Sequence, residues 1–213
     1  FWLAWEETGD PRMREALEAQ LDYAAQHVHA NVECRNIGDV RDFIRLYEFT
    51  RERRHLDEAI RLFRELRAKL STGNLFDQGG KPIDPDPPFI NDDQAGLKLG
   101  YAKPYILGYA LNGLPDLLRY APEEPELRPT IRAVADFLAA SVDPIGGWRY
   151  PHPRSTDTLV SQGIEHAWQL TQAARVLGPE AAWLDAIETV LRGRIQAWRR
   201  AGRPLVVTYC ATC

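Results

Sequence analysis

Three stretches of the chain concentrate side chains able to do chemistry. The first is Asn91-Asp92-Asp93, at the end of a proline-braced run from Pro82 to Asp93. Adjacent carboxylates repel, so a shared site raises one proton affinity and prepares a general acid. The same residues also suit helix or Asx-turn capping, or calcium binding together with Asp84 and Asp86. The second stretch is Gly146-Gly147-Trp148-Arg149-Tyr150-Pro151-His152-Pro153-Arg154. Its aromatic rings could stack on the apolar faces of sugars, and its arginine forks could grip a carboxylate in two-pronged fashion. Alternatively, Trp148 and Tyr150 plug the end of a core while Arg149 and Arg154 cap helix carbonyls. The third is Gln162, Glu165, His166 and Gln169, whose spacing of i, i+3, i+4 and i+7 puts all four on one helix face. Glu165 and His166 fall in the first two turns, where they could serve as acid and base, with the helix N-terminus lowering the proton affinity of His166.

Weaker signals surround these. Asn31, Glu33, Arg35, Asn36 and Asp39 share one short connection, with Glu33 and Arg35 as pocket-wall candidates and Asp39 as an N-cap. His27 and His29 are read as helix-end residues. Cys210-x-x-Cys213 is half of a zinc or redox motif whose other ligands are not visible, and Cys34 stands alone. Gly79-Gly80-Lys81 lacks the rest of a phosphate-loop pattern, and no G-x-S-x-G nucleophile elbow occurs.

The elements that position these residues follow from apolar periodicity. Four segments carry one apolar stripe opposite a charged face: Ala16, Leu17, Leu21, Ala24 and Val28; Leu56, Ala59, Ile60, Phe63 and Leu70; Leu127, Ile131, Val134, Ala135 and Leu138; and Leu184, Ile187, Leu191 and Trp198. Between them, 40–49, 104–118 and 160–177 are apolar on several sides, and must therefore be buried on several sides. The order is inner, outer, inner, outer. Inner helices pass to outer ones through short turns at 8–11, 51–55, 121–125 and 178–179, and Gly9, Asp10, Pro11 and Gly178 suit helix ends. Outer helices return through long segments, 30–38, 71–103 and 143–159, which places every long connection beside the N-termini of the inner helices. A helical unit recurring every few tens of residues makes an array, and its irregular period favours a closed ring over an open solenoid.

With that alternation, the Thr8-Gly9-Asp10 turn and the passage Gly38-Asp39…Leu46-Tyr47…Thr50…Leu56-Asp57-Glu58-Ala59, the chain resembles the six-hairpin glycosidase, or (α/α) toroid, superfamily. The resemblance is architectural and spans nearly the whole length. It implies an all-α fold, an array of antiparallel helix hairpins forming part of an (α/α) toroid with inner and outer layers. About three and a half hairpins of the six or so are present, and 1–213 reads as a single domain truncated at both ends. It also implies a carbohydrate-active enzyme and a secreted or periplasmic location. The leading expectation is a glycoside hydrolase on an acidic or uronic-acid-containing saccharide, with Asp92 or Asp93 and Glu165 as the carboxyl pair. Asn91, Trp148, Arg149, His152, Arg154, Gln162, Glu33 and Arg35 would line the substrate. A lyase or epimerase would instead abstract a proton with Tyr150 or His166 and neutralise the uronate with His152, Arg149 or Arg154. A non-catalytic scaffold binding a saccharide, peptide or protein is the third reading.

Composition is that of an ordinary globular protein, with 45% hydrophobic and 26% charged residues. A formal net charge of −4 gives no basic surface for nucleic acid or an anionic membrane. No apolar run nears the roughly 20 residues that span a bilayer. The expected partner is the saccharide, with no cofactor or metal beyond the calcium alternative.

Overall fold

The computed structural model describes residues 2–27, 39–69, 104–150, 157–159 and 163–201. These are mostly helical: α1 (Trp2–Thr8), α2 (Pro11–His27), α3 (Asp39–Thr50), α4 (Arg53–Lys69), α5 (Pro104–Gly108), α6 (Ala110–Tyr120), α7 (Leu127–Ala140), α8 (Gly163–Leu177) and α9 (Ala181–Ala201). Between α7 and α8 lie three short strands, β1 (Val142–Asp143), β2 (Gly147–Tyr150) and β3 (Asp157–Leu159), in an antiparallel sheet of order β1-β2-β3.

The turns between hairpin partners are built as their residues dictate. Gly9 takes φ +66° and donates its N–H to the Trp5 carbonyl at 2.8 Å, closing α1 with a left-handed residue. Asp10 then accepts the Arg12 N–H at 3.0 Å, capping α2 ahead of Pro11. Gly178 repeats the first device, with φ +93° and a bond to the Ala174 carbonyl. Between α3 and α4 the left-handed position falls to Arg51 (φ 57°), a residue with a Cβ, and Thr50 stiffens that turn by accepting the Glu52 N–H.

The helices form two layers. In one, α3, α6 and α8 pack side by side, α3 against α6 and α6 against α8. They run parallel. Arg41, early in α3, meets Trp168 early in α8, and its backbone lies against Gly113 early in α6. Farther along, Glu48 accepts the Tyr120 hydroxyl, and Asp116 bonds Arg175 at 3.0 Å with Arg45 3.9 Å away. The other layer holds α4, α7 and α9. Each lies on the helix before it, and α7 also covers α8. The same ionic stitch recurs between a helix of this second layer and the next short turn: Arg64–Glu124 and Arg67–Glu126 from α4, Arg132–Glu180 from α7. Such exposed pairs contribute little each. Their value here is as a sign of repetition.

Most of the apolar stripes face the core. Leu127, Ile131, Val134, Ala135 and Leu138 of α7 are all buried, as are Leu56, Ala59, Ile60 and Phe63 of α4. Trp183, Ala186 and Val190 fill the core side of α9, and the Trp183 indole donates to Asp136 at 2.8 Å.

Four expectations need correction. The apolar stripe read on α9 is not its core side: Leu184, Leu191 and Trp198 are exposed, and the buried side is one residue round. On α8, Ile164 and Trp168 were expected inside but remain over a third exposed, while the polar His166 and Gln169 are buried. Finally, the return after α7 is not plain loop, because β2 pairs with both neighbours, Val142 opposite Trp148 and Trp148 opposite Leu159. The inner helix expected over 104–118 also breaks at Tyr109, into α5 and α6.

Candidate functional site

Because α3, α6 and α8 run parallel, their first turns come together at one end of the layer. The contacts that bring them together are specific. The Arg41 guanidinium lies 5.7 Å from the centre of the Trp168 ring, a cation–π pair joining α3 to α8. The Gln169 amide donates to Asn112 Oδ1 at 2.9 Å, joining α8 to α6. A Cβ at Gly113 would lie 2.8 Å from the Arg41 nitrogen, so a glycine is what lets α6 approach the first turn of α3 so closely.

A chain of oriented amides runs through this end. His166 Nδ1 and Gln169 Oε1 are 2.6 Å apart, and both side chains are buried. Since the Gln169 NH2 faces Asn112, its carbonyl faces the imidazole, and His166 must carry its proton on Nδ1 and donate it. Gln169 Nε2 also reaches towards Glu165 Oε1 at 3.4 Å, and Asn112 hydrogen-bonds the Glu165 carboxylate. His166 Nε2 has no hydrogen-bond partner among the described residues. The ring sits edge-on to Trp148, centroids 4.7 Å apart. Space for it comes from Gly108, where a Cβ would stand 2.6 Å from the imidazole and closer still to Gln169 Oε1.

These surroundings set the protonation states. Burial drives His166 down to about 4, a loss only partly offset by its bond to Gln169, so the imidazole is neutral near pH 7. Burial, rather than the expected effect of the helix N-terminus, is the leading cause. Asp39, the first residue of α3, is pushed up to about 6 by burial and then by the neighbouring charge of Asp42. Burial raises Asp42, opposed by Arg41, and burial raises Glu165, opposed by the Asn112 hydrogen bond. Asp42 and Glu165 keep solvent contact, which limits their rise. The end of the layer therefore carries three carboxyls with heightened proton affinity, an arginine and a partly exposed indole. That set can hold and exchange a proton and bind a polar ring.

The sequence-derived site divides accordingly. Glu165, His166 and Gln169 come together here, with Asp39 in the first turn of α3 at the same end of the layer, though His166 is only 2% exposed and its ring meets Gln169 rather than solvent. Of the two readings of Trp148, stacking surface or core plug, the residue fits the second: it is 1% exposed, with its indole donating to the Leu138 carbonyl at 2.9 Å. Arg149 and Tyr150 belong to β2, paired with Thr158 and Asp157, but their side chains are outside the described set. Asn91, Asp92, Asp93, His152, Arg154, Gln162, Glu33 and Arg35 lie outside the described residues, as do Asp84, Asp86 and the three cysteines. Among the described residues no three His, Cys, Asp or Glu side chains gather as metal ligands, and no helix is long and apolar enough to cross a membrane.

Sequence reasoning missed Asn112, Gly108, Arg41 and Trp168. Asn112 had a signal: an amide within the apolar run Ala110-Leu111-Asn112-Gly113-Leu114 of a buried helix requires a partner. No protein-family model matches the chain, and no curated protein matches it.

Proposed function

We propose that this chain is part of an (α/α) toroid whose inner-helix rim hydrolyses glycosidic bonds in an acidic saccharide. One observation carries the reading: Asp39, raised to about 6, and Glu165, also raised, belong to the first turns of two inner helices joined by the Arg41–Trp168 pair. A carboxyl titrating near 6 holds its proton long enough to donate it at near-neutral pH. In this mechanism Asp39 protonates the glycosidic oxygen as the bond to the anomeric carbon breaks. Glu165, turned by the amides of Asn112 and Gln169, acts as the carboxylate that activates water or attacks that carbon. The exposed face of Trp168 stacks against a sugar ring, and Arg41 pairs with a uronate. Asp92 or Asp93 is the alternative partner for Glu165.

The parallel run of inner helices and the repeated outer stitch support the toroid. The burial of His166 and its low proton affinity favour hydrolysis over proton abstraction by that imidazole. The test is to incubate the full chain with a panel of uronic-acid-containing and neutral oligosaccharides. New reducing ends without near-ultraviolet absorbance support hydrolysis. Absorbance from an unsaturated product indicates a lyase, and no turnover of any member refutes the enzymatic reading.

A further inference from the structure

The side of α9 turned away from the core carries Leu184 (50% exposed), Leu191 (46%), Ile195 (45%) and Trp198 (48%), with half-buried Ile187 at its edge. A continuous stripe of this kind along about 21 Å of helix marks a contact surface rather than scattered apolar exposure. Its spacing is palindromic: the steps from Leu184 to Ile187, Leu191, Ile195 and Trp198 are three, four, four and three. Turning the helix end for end about Leu191 lays Leu184 on Trp198, Ile187 on Ile195 and Leu191 on itself. The flanking charge is polarised to match. Asp185 and Glu188 lie towards the N-terminus, and Arg192, Arg199 and Arg200 towards the C-terminus. Reversal brings Asp185 to within two residues of Arg199, and neither forms an ion pair among the described residues.

We infer that this stripe pairs with the same stripe of a second copy of the chain, α9 against α9, antiparallel about a two-fold axis near Leu191. A surface complementary to its own reverse is what an isologous contact requires. A parallel pair, by contrast, would set Asp185 on Asp185 and Arg199 on Arg199. The patch is narrow, so the contact belongs with the small, transient interfaces.

Sedimentation of the full chain over a concentration series tests this. The parent should pass from monomer to dimer. Leu191→Asp, a change at an exposed position, should remain monomeric with unchanged helical circular dichroism. D185R and R199D should each weaken the dimer at least tenfold, and the double reversal D185R/R199D should restore it. A parent that stays monomeric at every concentration leaves the stripe to another cover, such as a further hairpin of the proposed ring, and overturns the inference. So does a dimer indifferent to L191D, or a double reversal no better than its parts.

Discussion

Gly108 and His166 approach so closely that the missing side chain of the first makes room for the ring of the second: a Cβ on Gly108 would lie 2.6 Å from His166 Nδ1 and Cε1. The buried imidazole, the Gln169 amide and the Asn112 amide hold one another in fixed directions only because that space is free.

Gly108→Ala should therefore destabilise the fold. Gln169 is fully buried and held at both ends, so neither it nor the ring can step aside without losing a hydrogen bond. Overpacking of this kind costs about 1–3 kcal/mol. A lowered midpoint in chemical denaturation checks it.

The acid limb of the stability profile carries opposing contributions from His166 and Asp39. His166 is depressed in the folded chain, so the unfolded chain binds its proton more readily. Its stabilising contribution is whole above the unfolded value of 6.5 and is lost as pH falls towards about 4. The full loss is of order 3 kcal/mol. Asp39 is raised in the folded chain, so its protonation favours folding, and that contribution is lost as pH rises through about 6. Between pH 6 and 4 the two partly cancel. Asp39→Asn should remove the cancellation and steepen the decline in stability from pH 6 to 4, followed by denaturant titration at fixed pH values.

Trp148→Phe separates a plug from a platform. It leaves the Leu138 carbonyl without its 2.9 Å donor and thins the packing against His166, which should cost about 1–3 kcal/mol. Saccharide affinity of the remaining folded protein should be unchanged. Trp168→Ala should behave the other way. With its ring 39% exposed, the loss should appear as a several-fold higher KM with little change in melting temperature.

Hairpin order, the turn residues and the core side of α7 were legible in the sequence, because a single apolar stripe against a charged face has one solution. The inside of α8 was not. There Ile164 and Trp168 give way to His166 and Gln169, since the polar pair is satisfied by Asn112, a partner 57 positions away from Gln169 in the chain, which no local pattern reveals. The outward stripe of α9 misled for a related reason. Its apolar arc is wider than one neighbour can cover, and periodicity alone does not say which part meets the core. At the candidate site, Glu165 and His166 were visible by type and spacing, whereas Asp39 was read as an N-cap and is instead the first residue of α3. Their meeting with Arg41 and Asn112 required the parallel register of three helices.

In the proposed reaction Asp39 and Glu165 work as acid and carboxylate at the inner-helix rim. The most direct measurement is kcat for an acidic oligosaccharide with the parent chain, Asp39→Asn and Glu165→Gln, each shown to be folded by circular dichroism. Each variant should lose at least about 100-fold, the size expected for general acid–base groups, and the parent's rate should fall as pH rises past about 6. Turnover that survives both substitutions, or a rate unaffected by pH across that range, would contradict the proposed reaction.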